Sequence, residues 1–125
     1  MSAAPLPPDA LSDEAANAWH RIYAFHVRRG TWQRAYVIGL EWAASHSALY
    51  LEIAREMRDV PADAPVYAEA AQTVEETRQV ARQLLEQWHY IKPERVHLAA
   101  MNAEGLDADL VALCAPLAPE ELAPR

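Results

Sequence analysis

Residues 31–59 read TWQRAYVIGLEWAASHSALYLEIAREMRD, a run with no proline and a single glycine. Trp32, Tyr36, Gly39, Ala43, His46, Tyr50, Ile53 and Met57 recur at alternating steps of four and three. That is the heptad seam of a packed helix, not the twofold alternation of a strand. Arg34, Glu41, Glu52, Arg55 and Asp59 fall together on another face, so Glu41 is expected to point outward despite its apolar neighbours. The stretch predicts one helix from Thr31, as N-cap, to about Asp59. At about 1.5 Å per residue such a rod is on the order of 40 Å long, so a small chain must be organised around it. Gly39, in the middle of the seam, marks a point of close backbone approach.

The flanking sequence supplies a helix on either side. Ser12 is a candidate N-cap, Asp13 and Glu14 suit the positive end of a helix dipole, and Gly30 is a stop, which predicts a helix from about Ser12 to Arg29. The nine prolines are confined to positions 5, 7, 8, 61, 65, 93, 116, 119 and 124, which leaves 66–92 free to be helical. Asp63 as N-cap with Pro65 in the first turn predicts a third helix to about Tyr90 or Ile91. Its seam is Tyr67, Ala70, Val74, Thr77, Ala81, Leu84, Trp88 and Ile91, and Glu69, Gln72, Glu76, Gln79, Gln83 and Glu86 line its polar face. Two short helices follow, at about Pro93–Glu104 and Asp107–Cys114. The expected fold is all-α: an up-and-down antiparallel bundle of three long helices with one or two short C-terminal ones. Its domain is 12–115, between a disordered arm, 1–11, and a Pro-rich tail, 116–125.

Composition narrows the class of protein. Of 125 residues, 52% are hydrophobic and 26 are alanine, and 11 Lys+Arg against 18 Asp+Glu give a formal charge of −7. Collagen-like and intrinsically disordered chains are excluded. Three glycines build no phosphate cradle, and G-x-S-x-G, H-E-x-x-H and paired C-x-x-C motifs are all missing. The lone Cys114 closes no internal disulfide, and no stretch reads as a signal peptide or a membrane span, so the expected compartment is the cytoplasm.

Four groups of residues carry candidate chemistry. Glu86 with His89, and Glu94 with His97, are two Glu-x-x-His pairs, a spacing that puts a carboxylate and an imidazole one turn apart where both reach a divalent metal or iron. Di-iron bundles place such pairs on different helices, whereas these two flank Pro93 on one segment. His26 and His46 are expected on inward faces, and with Tyr36, Tyr50 and Trp88 they suggest a pocket for a flat apolar ligand between helices. Arg21, Arg28, Arg29 and Arg34 surround the first turn with Trp32, a basic corner suited to an acidic partner or RNA phosphates. Finally, Arg21 to His26 and Arg82 to His89 resemble the arginine–histidine spacing of HEPN-type helical ribonucleases. In that family the arginine steadies phosphate charge and the histidine moves protons without metal. The polar residue that usually follows the arginine is replaced by Ile22 in one match and falls on Gln83 in the other.

No catalytic constellation is complete, and residues 36–90 carry nine acids against four bases, which disfavours nucleic acid. The sequence therefore points to a non-catalytic interaction or regulatory module without a cofactor. Three heptad helices leave a stripe uncovered, so a homodimer is expected, with another protein as a further partner. The alternatives are a small helical metal- or ligand-binding sensor or enzyme and, third, a metal-independent HEPN-like ribonuclease.

Overall fold

Ser12 opens the first helix, its hydroxyl accepting from the Ala15 N–H at 3.2 Å. This helix, α1, spans Asp13–Arg29. Gly30 ends it in the left-handed region (φ 68), where the Gly30 and Thr31 N–H groups bond back to Val27 and His26 carbonyls. The computed structural model describes residues 7–93 and 101–121, so the expected helix at Pro93–Glu104 falls largely outside the described residues, as do Glu94 and His97.

The central helix starts later than expected. Thr31 caps nothing, because its hydroxyl is held 2.8 Å from Nδ1 of His26. The chain then makes a 3₁₀ turn at Arg34–Tyr36 before α2 runs over Val37–Glu56, and a second 3₁₀ turn follows at Met57–Asp59. The third helix, α3, spans Tyr67–Gln87 with no side-chain cap. Asp63 fails as N-cap because Pro61–Val66 form successive turns, the Ala64 N–H bonding Pro61 and the Tyr67 N–H bonding Ala64. The helix stops short of Tyr90 because His89 adopts a positive φ of 61, with the His89 N–H on Glu86 and the Tyr90 N–H on Leu85. A Schellman cap of that kind ends a helix before any proline is reached. The last helix, α4, spans Ala108–Cys114, with Asp107 as N-cap accepting from the Asp109 N–H at 3.0 Å and the Leu110 N–H at 3.4 Å.

The fold is an all-α bundle centred on α2, which packs against both α1 and α3, while α4 closes over α1 and α2. Ile53 and Met57 share a groove with Val66, Ala70 and Val74, whereas a Cβ on Gly39 would stand 3.2 Å from the Trp88 ring. The two helices therefore run antiparallel, and Gly39 is the point of close approach. Having neighbours on three sides, α2 buries a broad arc of Leu40, Ala43, Ala44, Ser47, Tyr50 and Leu51. Its buried set is wider than a heptad seam, and His46, expected inside, lies on its edge. The charged residues Arg34, Glu41, Glu52, Arg55 and Asp59 are exposed as the register requires.

The C-terminal segment is not the free tail that its prolines suggest. Arg21 donates to the carbonyls of Leu113 (2.9 Å), Ala115 and Pro116 (3.0 Å), and both arms of its fork grip the Glu121 carboxylate at 3.0 and 3.2 Å. The 3₁₀ turn Pro119–Glu121 is thereby strapped to α1. No helix among the described residues is long and apolar enough to cross a membrane.

Candidate functional site

The residues marked by the sequence do not gather into one site. His26 is buried, 3% exposed, inside a box of rings, with centroids of Trp88 at 4.9 Å, Tyr36 at 5.2 Å, Phe25 at 5.4 Å and Trp32 at 6.3 Å. Its Nε2 finds no hydrogen-bond partner among the described residues. Burial, helped by the nearby Arg29 charge, holds its pKa below the usual 6.5. A neutral imidazole walled by aromatic rings is a packing element. Three of the five expected pocket residues, His26, Tyr36 and Trp88, do meet here.

The other two lie elsewhere. Tyr50 is buried beside α4, its hydroxyl oxygen accepting from the Asp107 N–H at 2.9 Å. His46 is on the outer side of α2, its Nδ1 2.8 Å from the Trp42 carbonyl and its ring 4.2 Å from the Trp42 ring. His46 is thus half-buried at the edge of the packed arc, one heptad from Gly39, and not inside it.

Of the expected metal ligands, only Glu86 and His89 are among the described residues. Glu86 accepts from Arg82 at 3.1 Å, and His89 is exposed at the helix cap. Among the described residues no group of three or more His, Cys, Asp and Glu side chains is placed to hold a metal ion. The basic corner is divided as well. Arg21 grips the C-terminal segment, Arg28 reaches the Glu120 and Glu121 carbonyls at 3.4 Å, and Arg29 lies over the Phe25 ring at 5.0 Å. Trp32 turns inward against Tyr23 (4.8 Å), leaving Arg34 exposed in the turn before α2, with no ion-pair partner among the described residues.

Sequence reading missed a charged knot. Asp107 is fully buried, and its Oδ2 accepts from Arg78 at 3.0 Å and Arg82 at 2.8 Å while Oδ1 caps α4. Arg82, itself buried, also donates to Glu86, to Asp109 at 3.2 Å and to the Lys92 carbonyl at 3.1 Å, and Arg78 pairs with Glu75. The Arg82 guanidinium of the Arg82–His89 spacing is thus engaged by carboxylates and a carbonyl, while His89 is exposed at the helix cap. In the other match, Arg21 is likewise committed to the C-terminal segment and His26 is enclosed by its rings. The period of α3 does place Arg78 and Arg82 one turn apart beside Leu85, and that was the available signal.

What remains free is the outer face of α2. Ile38 is 81% exposed, Trp42 51% and Leu49 42%, and Ser45 completes the same line. Steps of four, three and four residues align these side chains on one side of the helix. Past Leu49 the line runs into an apolar groove of about 440 Å³ between α2 and α3, lined by Ile53, Met57, Val60, Val66 and Val74 among others.

The chain matches no protein-family model, curated protein or solved structure. Its function has to be read from its own residues.

Proposed function

We propose that this protein is a non-catalytic interaction module that self-associates through the outer face of α2, with the cytoplasm as its compartment. One observation carries the reading: the helix at the centre of the bundle keeps Ile38, Trp42 and Leu49 in solvent. Apolar residues scattered singly on a surface are ordinary, but a line of three on one helix is a contiguous patch. Full burial of such a side chain contributes about 1.5–3 kcal/mol. Six partly exposed side chains across two copies then offer about 5–10 kcal/mol, against an association cost of about 4–15 kcal/mol. That balance suits a weak, reversible dimer rather than an obligate one. The catalytic alternatives find less support among the described residues, since Arg21 and Arg82 are already committed and His26 is enclosed by rings.

Native mass spectrometry and sedimentation velocity over about 10 μM to 1 mM test this. A dimer with no added mass, converted to a folded monomer by Trp42→Asp, is the expected result. A strict monomer at about 1 mM, where an association free energy of only about −4 kcal/mol already gives dimer, would overturn the reading. Retained metal or organic ligand would replace it with the ligand-binding alternative.

A further inference from the structure

We propose that the second copy lies antiparallel across α2, with a twofold axis between Trp42 and Ser45, so that Trp42 packs on the partner subunit's Ser45 and Ile38 on the partner subunit's Leu49. This rests on the self-association reading above and assigns its geometry. The first argument is size. In a parallel pair like meets like, so the two Trp42 indoles collide while the two Ser45 side chains leave a gap beside them. Reversing one helix sets the largest side chain of the stripe against the smallest, as facing layers of packed helices require.

The second argument is charge. Arg34 stands at one end of the stripe and Glu52 and Glu56 at the other, all exposed and none in an ion pair among the described residues. The bases at that end, Arg55 and Arg58, are already held by Glu14 at 2.9 Å and by Glu104. Parallel pairing would stack Arg34 on its own copy and Glu52 on its own. In the antiparallel register, where the numbers of facing residues add to about 87, Arg34 comes opposite the stretch from Glu52 to Glu56 of the other copy, twice per dimer by symmetry. The partner's residues 31–35 then also cover Ile53, at the mouth of the apolar groove.

Cysteine crosslinking separates the arrangements, because the native Cys114 is buried. Ile38→Cys and Leu49→Cys chains are made separately and oxidised with glutathione disulfide, alone and as an equimolar mixture, after circular dichroism confirms that each is folded. The antiparallel geometry gives a covalent dimer in the mixture and little in either variant alone. Crosslinking by each variant alone means a parallel pair and overturns the proposal. In parallel, Arg34→Glu should weaken the wild-type dimer about tenfold, and the double variant Arg34→Glu/Glu52→Arg should restore it to within about threefold. A dimer that ignores both charge changes overturns the arrangement and leaves self-association standing, whereas a wild-type monomer removes self-association itself.

Discussion

Replacing Asp107 with alanine removes the carboxylate at the centre of the buried charged knot. Its carboxylate is fully buried, accepts from two arginines at 3.0 and 2.8 Å, and caps α4 through the Asp109 and Leu110 N–H groups. Removing one partner of a buried ion pair costs about 3–5 kcal/mol, and loss of an N-cap about 1 kcal/mol. The arginines are not stranded completely, since Arg78 keeps Glu75 and Arg82 keeps Glu86, Asp109 and the Lys92 carbonyl. That places Asp107→Ala near 3–5 kcal/mol in total. Asp107→Asn keeps an oxygen for the cap but loses the charge, so it should fall near 2–3 kcal/mol. Urea unfolding followed by helical circular dichroism reads both. With a slope of about 1.5 kcal/mol per molar, the alanine midpoint should drop by about 2–3 M. Tyr50→Phe leaves the Asp107 N–H without its acceptor and should cost about 1–3 kcal/mol. An Asp107→Ala protein within 1 kcal/mol of wild type would show that the knot is not a stabilising contact, and the reasoning would fail.

Three further outcomes are expected. Gly39→Val should destabilise by more than about 1 kcal/mol in thermal or urea melts, because a Cβ there already stands 3.2–3.4 Å from Trp88 and Leu84 and overpacking costs about 1–3 kcal/mol; a more stable variant would disprove the close approach. His26 is held below 6.5 in the native state, so as pH falls below that value the unfolded chain takes up a proton that the folded one refuses, and stability declines until the lowered native pKa is passed. The His26→Phe variant should show a shallower acid slope, with a remainder from His20, which burial also lowers; an unchanged slope would refute the assignment. Burial pushes the Cys114 thiol up from 9.0 to about 12, so a thiol reagent near pH 8 should label it only as the protein unfolds, and rapid labelling of native protein would contradict its burial.

Local chemistry wrote much of this fold into the sequence. Ser12 and Gly30 act through bonds to backbone groups within a few residues, and each does what its position predicts. Gly39 is equally legible, since a glycine on an apolar seam has few other uses. The helix ends that went astray were those where a competing bond within five residues won. Thr31 is drawn to the ring of His26, and His89 takes the left-handed turn that glycine usually takes, so α2 begins and α3 ends apart from their sequence signals.

The candidate site divides in the same way. Spacing alone aligns Ile38, Trp42, Ser45 and Leu49 on α2, but a period identifies which residues share a face, never which face finds a neighbour. Tertiary packing decided that by seating α1, α3 and α4 around the other sides of the helix, which turned His46 outward and left three large apolar residues in water. It likewise enclosed His26 among rings, and it drew Arg78 and Arg82 inside because the N-terminus of α4 delivers a carboxylate to meet them. Sequence by itself determined the helices and their registers, which follow from backbone hydrogen bonds between near neighbours. Burial, and with it the role of each charged or aromatic side chain, was decided by contacts between segments far apart in the chain.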